Sequence, residues 1–252
     1  MLSRSELEAV ARTLTAGNVG HAEKLYCQDV ILRAISRQTT DELVFKGGTA
    51  LLKCYQLDRF SEDLDFTARV PFPFENVLDG AVRDLEQFGM AVNRRTIDRS
   101  ARTHNARLGI EGPLYTGDER SLCFVRMQVN THSSVDEVHV IRYTPPFQDI
   151  PTFDLPVLGE REILAEKIRA LMTRRQPRDL YDLYHLLERS VAVEPTLIQS
   201  KLEYYDLEYD PEVVRDRVRS FDEQWSMLEP LVYSGLPPFE TVVATVERAL
   251  EE

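Results

Sequence analysis

Cysteine is scarce in this chain: three cysteines, Cys27, Cys54 and Cys123, lie far apart in 252 residues and form no C-x-x-C pair. Their number and spacing exclude a disulfide framework and a zinc site built from paired thiolates, and they favour a reducing compartment. The sequence also lacks any apolar run near the ~18 residues of a membrane span, and its first residues are too polar for a secretion signal. We therefore expect a globular, cytoplasmic protein that makes no membrane contact.

Basic residues are outnumbered: 30 lysines and arginines stand against 42 acidic residues, which gives a net charge of −12. This balance argues against a protein that coats nucleic acid. The acid is concentrated in residues 194–252, where 14 acidic and five basic residues give −9. Residues 94–107 and 166–178 instead carry +4 each, and such clusters can bind phosphates locally, because charge is screened within roughly 8–10 Å in physiological salt. The alternative is that both are ordinary solvated surfaces with packed arginine stems.

The hydrophobic pattern predicts a mixed first part and an all-helical second part. Predicted helices before residue 150 cover 5–16, 20–38, 49–55 and 75–89, and predicted strands cover 43–46, 63–66, 91–98, 106–111, 121–131 and 138–143. The proline-rich stretch 144–156 predicts a linker or an irregular crossing. Beyond it we expect only helices, over 160–174, 178–189, 195–204, 212–229 and 239–250. The chain should therefore form two domains, 1–150 with the strands and 151–252 with helices alone.

Glycine is also sparse, with 11 in the chain and a single Gly-Gly pair, Gly47-Gly48. The pair lies between a predicted strand ending at Lys46 and a predicted helix beginning at Thr49. Two glycines here let the backbone approach a ligand closely and turn its N–H groups outward, while the helix N-terminus adds a partial positive charge. This segment indicates a phosphate cradle, and an ordinary strand-to-helix turn is the alternative.

Two carboxylates follow on the next predicted strand, Asp63-Leu64-Asp65-Phe66. On a strand, Asp63 and Asp65 project from one face while Leu64 and Phe66 enter the core. Side-by-side carboxylates repel each other unless a cation lies between them, and Mg²⁺ takes such oxygen ligands together with substrate phosphates. Other acidic pairs at this spacing lie in helical or acidic surroundings, where residues two apart occupy different faces. The sequence therefore predicts a Mg²⁺ site at Asp63 and Asp65, with Mn²⁺ as the alternative ion.

A strand, a Gly-Gly turn, a helix and an Asp-x-Asp strand together resemble the catalytic core of polymerase-β-type nucleotidyltransferases. Residues 45–51 and 59–66 resemble one branch more closely, the AbiEii/AbiGii abortive-infection toxins of type IV toxin–antitoxin systems. The family's E-K-x-x-A and R-D-x-x-D helices match Glu166 to Ala170 and Arg178 to Asp182. The resemblance spans residues 43–187 and implies an α+β fold: a polymerase-β-like mixed sheet with flanking helices, followed by an all-α C-terminal helical bundle.

The resemblance also implies an activity: Mg²⁺-dependent transfer of a nucleotide from a nucleoside triphosphate (NTP) to an RNA acceptor, transfer RNA in the family, with release of pyrophosphate. It assigns catalytic roles to Asp63, Asp65, Lys167 and Asp179. It assigns nucleotide binding to Lys46, Gly47, Gly48, Thr49, Ser61 and Lys167. Asp179, or else Asp182 on the same helix face, would position the acceptor hydroxyl, with Arg178 in support. A structural ion pair between Arg178 and Asp179 is the alternative.

One departure from polymerase-β-type sites concerns the third carboxylate, which a later strand usually supplies. Gln128 stands at that position in the strongest predicted strand, and a neutral amide is a weaker Mg²⁺ ligand that cannot act as a base. Either the second metal binds weakly, or Asp179 supplies the missing carboxylate, or the enzyme is degenerate.

The expected partners are an NTP, an RNA acceptor and a cognate antitoxin protein. The RNA backbone is expected along the two basic clusters, at Arg94, Arg95, Arg99, Arg174 and Arg175. Two alternatives stay open: the acceptor is a small molecule or a protein side chain, or the chain is an inactive nucleotidyltransferase that sequesters a partner. Gln128 and the acidic region 194–252 favour the last of these.

Overall fold

The computed structural model describes residues 1–132 and 134–251, and for Arg94 the backbone alone. The chain divides into two compact units. The first, the sheet unit, contains Met1–Cys54 and Phe60–Val157. The second, the helical unit, contains Tyr55–Arg59 and the chain from Leu158 onward. The helical unit is therefore discontinuous in sequence, because a short segment between Cys54 and Phe60 belongs to it.

The sheet unit is built on one mixed sheet of seven strands in the described residues. Its elements are α1 (Arg4–Leu14), α2 (Val19–Ser36), β1 (Leu43–Lys46), α3 (Gly47–Cys54), β2 (Asp63–Ala68), α4 (Phe74–Gln87), β3 (Val92–Arg99), β4 (Thr103–Ile110), β5 (Cys123–Asn130), β6 (Val138–Tyr143) and β7 (Phe153–Leu158). The strand order is β3-β4-β5-β2-β1-β7-β6. Strand β2 runs antiparallel to β1 and parallel to β5, so it lies in the middle of the sheet.

Apolar and polar side chains alternate along the central strands, which gives the sheet one apolar face. In β2, Leu64 and Phe66 are buried while Asp63 and Asp65 stay partly exposed. In β5, Met127 is buried between the exposed Arg126 and the partly exposed Gln128. Helix α2 packs against β5 and α4, and α4 also contacts β3, so these helices cover the apolar face. The polar side chains of the central strands share the opposite face, called the Asp63 face below.

The helical unit contains, besides Tyr55–Arg59, the helices α5 (Glu160–Thr173), α6 (Pro177–Glu188), α7 (Pro195–Leu202), α8 (Pro211–Arg219), α9 (Asp222–Trp225) and α10 (Phe239–Ala249). Pro177, Pro195 and Pro211 each stand in the first turn of their helix, where proline removes no hydrogen bond. Arg59 forms an isolated antiparallel bridge with Val232. No helix in the described part of the chain is both long enough and apolar enough to cross a membrane.

A mixed sheet with flanking helices followed by helices alone confirms the predicted fold class. Two element predictions were wrong. The predicted linker 144–156 contains most of β7, which pairs in parallel with β1 through Phe45 and Val157. The predicted helix 212–229 is interrupted between Arg219 and Asp222. The structural division also falls after Val157 rather than after residue 150 and assigns residues 55–59 to the helical unit.

Candidate active site

The Gly-Gly turn lies directly against the carboxylate of Asp65. Gly47 begins α3 with a φ of +76°, a left-handed conformation that glycine adopts without steric cost. A Cβ atom at Gly47 would lie 2.6 Å from Oδ2 of Asp65 and 3.1 Å from its Cβ. Glycine is therefore required here twice, by the backbone conformation and by the close approach of the carboxylate.

The segment before Asp63 is fixed by buried polar side chains. Thr49 is fully buried; its hydroxyl lies 2.8 Å from that of Ser61 and donates to the backbone carbonyl oxygen of Asp63. The Gln28 amide donates to the carbonyl oxygens of Ser61 and Glu62, at 3.1 and 2.9 Å. The hydroxyl of Thr49 thus holds the strand in place, so any contribution of this residue to a phosphate cradle comes from its backbone.

Sheet register gathers four of the predicted site residues, Lys46, Asp63, Asp65 and Gln128, on the Asp63 face. Asp65 pairs with Lys46 on β1 and with Gln128 on β5, and Asp63 pairs with Arg126 on β5. Directly paired residues face the same side of a sheet, with strands about 4.8 Å apart. Gln128 therefore stands beside Asp65, where the family resemblance leads one to look for a third carboxylate. Arg126 donates to its Oε1 at 3.3 Å.

This oxygen set suits a cation that brings other ligands with it. Among the described residues there is no group of three or more His, Cys, Asp or Glu side chains that could hold a metal. Asp63 and Asp65 supply two carboxylates on one strand face, and Gln128 adds an amide oxygen. Mg²⁺ binds through one or two carboxylates plus substrate phosphates and water, rather than through an all-protein cage. The side chains present fit that ion.

Lys167, Asp179 and Asp182 meet within the helical unit in a buried ion-pair network. The Lys167 ammonium lies 3.0 Å from Asp179 Oδ1 and 2.6 Å from Asp182 Oδ2. Arg59 donates to both oxygens of Asp182, each at 2.6 Å. Arg174 donates to both oxygens of Asp179, at 2.8 and 2.9 Å. Both aspartates are almost completely buried, and the cations occupy every one of their carboxylate oxygens.

The network shifts the pKa values of its members toward the charged forms. Burial raises the pKa of Asp179, but Lys167 and Arg174 outweigh it and hold that pKa well below its ordinary value. The pKa of Asp182 is likewise lowered, because Arg59 and Lys167 more than offset its burial. Burial lowers the pKa of Lys167, yet Asp182 and Asp179 together raise it above its ordinary value. A carboxylate with a depressed pKa is a weak base, so Asp179 suits a positioning role better than proton abstraction.

The other arginines predicted to contact RNA or support the site are divided between the two units. Arg95 and Arg99 lie on the α4 side of the sheet, where Arg95 pairs with Asp79 and Arg99 with Glu75. The Arg94 side chain lies outside the described part of the chain. In the helical unit Arg175 donates to a backbone carbonyl of Ser220 at 3.4 Å, and Arg178 is half-buried.

Sequence reasoning missed two residues that organise these sites. Arg59 lies within the family's segment 59–66 and is almost completely buried, but no local pattern in the sequence indicates its partner. Gln28 is a helix residue that is fully buried; one glutamine at a core position of a predicted helix was the available sign.

Comparison with known proteins identifies the family. The sequence model of the nucleotidyl transferase AbiEii toxin, from type IV toxin–antitoxin systems, matches residues 30–250. The chain belongs to the AbiEii family. It is thus a nucleotidyltransferase toxin of the type IV class, as the sequence motifs indicate. No curated protein matches the chain significantly.

Solved structures share the fold of this AbiEii family member. MenT4, a nucleotidyltransferase toxin from Mycobacterium tuberculosis H37Rv, is 22% identical with a TM-score of 0.70, over 99% of this chain and 89% of that one. JHP933 from Helicobacter pylori is 17% identical with a TM-score of 0.58, over 92% of this chain and 90% of that one. At these identities the likeness establishes the fold.

Proposed function

We propose that this AbiEii family member transfers a nucleotidyl group from an NTP to an RNA acceptor, with transfer RNA as the acceptor class and pyrophosphate as the leaving group. The observation that carries the proposal is the contact between the Gly47 backbone and the Asp65 carboxylate. This contact places a turn that can bind phosphates next to the carboxylate pair Asp63 and Asp65, which can bind a cation. A site of this kind lets charge neutralisation and positioning supply most of the catalysis.

Asp63 and Asp65 are the residues that would hold Mg²⁺, or Mn²⁺ in its place, with Gln128 Oε1 as a weaker ligand. When bound, the ion would neutralise charge on the triphosphate and on the leaving pyrophosphate. The backbone N–H groups at Gly47, Gly48 and Thr49 would orient the phosphates at the N-terminal end of α3. That Lys46, Ser61 and Lys167 also contact the nucleotide stays a prediction of the family resemblance.

The reaction we propose is one in-line displacement. An acceptor hydroxyl oxygen attacks the α-phosphorus and loses its proton to solvent water as the new P–O bond forms. The bond between the α-phosphorus and the bridging oxygen to the β-phosphate breaks, and its electron pair leaves with pyrophosphate. Asp179 and Asp182 hold the Lys167 ammonium at one position in the helical unit, so they act as positioning residues in this scheme. We further propose that the protein works in the cytoplasm with a cognate antitoxin as its partner.

The direct test is incubation of the purified protein with each α-labelled NTP and total RNA. We expect label to enter RNA of transfer-RNA size only when Mg²⁺ or Mn²⁺ is present, with equimolar pyrophosphate released. Label in protein or in small molecules would identify the alternative acceptors. NTP binding without release of pyrophosphate would contradict the transferase proposal and favour a module that sequesters a partner.

Gly47→Ala should reduce transfer about 100-fold, because the added methyl displaces the Asp65 carboxylate and a shift of about 1 Å in a reacting group costs that much. The left-handed conformation adds a folding cost of about 1–3 kcal/mol. Gly117→Ala is the matched control: its φ is +90° and nothing lies within 4 Å of the added Cβ. It should lose similar stability and keep its activity. The measurements are kcat/KM for the NTP and urea unfolding. Equal transfer rates in the two variants would contradict a role for the close contact.

A further inference from the structure

The Asp63 face continues beyond the carboxylates as two rows of polar side chains across the sheet. One row runs through Asp63 on β2, Arg126 on β5, Arg107 on β4 and Thr96 on β3. The next row runs through Asp65, Gln128, Asn105 and Asp98 on the same strands. Because directly paired residues face the same side, two arginines lie on the same face as the carboxylates, one and two strands away from Asp63.

A groove follows these rows along the outer strands. It has a volume of about 330 Å³ and is lined by Thr96, Asp98, Asn105, Ala106, Arg107 and Arg126. Both arginines are exposed, and Asp98 is the carboxylate among the lining residues. We call this the β4–β5 groove; its lining carries a net positive charge.

The two arginines of the groove keep their charge available. Within the described residues neither forms an ion pair with a carboxylate: the Arg107 guanidinium lies 4.3 Å from the centroid of the Phe124 ring, and Arg126 donates to the neutral amide of Gln128. Arg95 and Arg99, on the other side of the same sheet, are each paired with an acid of α4. Arg126 stands opposite Asp63 on one side and opposite Arg107 on the other. Like charges directly opposite each other on neighbouring strands destabilise a sheet, so a phosphate bound at Arg107 and Arg126 would relieve their mutual repulsion.

A second unsatisfied group lies in the same groove. The Oδ1 atom of Asn105 is buried and has no hydrogen-bond partner among the described residues. A buried acceptor without a donor costs about 1–3 kcal/mol. A strand that carries hydroxyl donors next to its phosphates would satisfy both features, and RNA has such a donor in its ribose 2′-hydroxyl.

Strand order separates this groove from the nucleotide-binding turn. The Gly47-Gly48 turn follows β1, whereas Arg126 and Arg107 lie on β5 and β4, and β2 with its two carboxylates stands between them. One anion-binding feature thus flanks the carboxylates on each side. In an in-line transfer the donor phosphates and the acceptor strand approach the reacting phosphorus from opposite sides. With the donor phosphates at the turn, the groove is the side left for the acceptor.

Resting on the proposed function, we propose that the β4–β5 groove binds the phosphodiester backbone of the RNA acceptor through Arg107 and Arg126. This assignment replaces Arg95 and Arg99 as the acceptor contacts on this unit. Each arginine neutralises one backbone phosphate, and the exposed fork of the guanidinium suits its two free oxygens. The guanidinium of Arg107 is already held over the Phe124 ring, which reduces the side-chain freedom that RNA binding would remove.

The test compares two double variants that each remove two positive charges, Arg107→Gln/Arg126→Gln in the groove and Arg95→Gln/Arg99→Gln on the α4 side. Binding of 5′-fluorescein-labelled total transfer RNA is measured by anisotropy across a salt series. For the groove variant we expect at least a tenfold weaker affinity and a salt slope smaller by about one per lost phosphate contact. The affinity for NTP should stay within twofold of the wild type. The α4-side variant should bind RNA like the wild type.

Each other outcome overturns the groove assignment. RNA affinity and salt slope unchanged in the groove variant would remove Arg107 and Arg126 from the acceptor site. Equal losses in both double variants would indicate bulk charge alone. A matching loss of NTP affinity would assign the arginines to the donor phosphates. Failure of the proposed reaction would give a different result. The wild type would then bind RNA with the salt slope that the groove variant loses, yet it would transfer no nucleotide to that RNA.

Discussion

Asp63→Asn and Asp65→Asn should each reduce nucleotide transfer by about a thousandfold or more, since loss of a cation that neutralises phosphate charge raises the barrier by about 4 kcal/mol. The fold should persist, because removing one of two neighbouring like charges relieves repulsion in the metal-free protein. The measurements are transfer of labelled NTP to RNA and the midpoint of thermal unfolding.

Glu62→Gln is the matched control for these variants. Glu62 directly precedes Asp63, is exposed, and pairs with Lys24 across 3.4 Å. An exposed pair contributes about 0–1 kcal/mol, so this variant should match the wild type in both transfer and unfolding. Wild-type transfer by either aspartate variant would remove the cation site from β2, and with it the proposed reaction.

Asp182→Asn is expected to give the largest loss of stability, about 3–5 kcal/mol, because it leaves the buried charges of Arg59 and Lys167 without their shared carboxylate. Arg59 and Asp182 side chains are only 3% and 0% exposed. Asp216→Asn is the control in the same unit, since its pair with Arg219 is 3.7 Å long and exposed on both sides. It should cost no more than about 1 kcal/mol.

The same network sets a pH dependence with a definite sign. Asp179 and Asp182 have lowered pKa values in the folded protein, so their stabilisation is present above the ordinary carboxylate range near pH 4 and is lost as the pH falls below it. The pKa of Lys167 is raised, so its contribution is present below about pH 10.4 and is lost as the pH rises through its folded value. Urea unfolding between pH 7 and 3 should therefore show a smaller loss in Asp182→Asn than in the wild type. Wild-type stability of this variant at pH 7 would contradict the buried network.

Local pattern predicted most of the fold, and the failures share a physical cause. Pro151 precedes strand β7 and Pro156 lies within it, which is why the local pattern predicts no strand there. Its partner β1 lies more than 100 residues earlier in the chain, so a local pattern does not reveal the pairing. The break between α8 and α9 contains no glycine or proline, so the sequence carries no signal for it. Tertiary packing decides both features, and packing is not visible in a local sequence pattern.

The site was predictable in its residue types and less so in its neighbours. Alternation alone places Asp63 and Asp65 on one face, and the motif order indicated the family. Sheet register, however, decides that Arg126 stands beside Asp63 and that Arg95 and Arg99 turn toward α4. A cluster of arginines that looks continuous in sequence is thus divided between two faces. The contact of Gly47 with Asp65 depends on the same pairing of distant strands.

The short segment Tyr55–Arg59 also determines when the helical unit of a newly made chain can finish folding. Asp58 and Arg59 leave the ribosome early, but Arg59 finds its carboxylate only at Asp182, 123 residues later. The hydrogen bond that the Asp58 backbone carbonyl accepts from the N–H of Tyr233 can form only later still. At synthesis rates of about 5–20 residues per second, the first delay alone is roughly 6–25 s. Until then Arg59, which is buried in the folded protein, has no partner carboxylate. The helical unit therefore gains these two contacts only after Asp182 and Tyr233 have been made, and a product truncated before Asp182 lacks both.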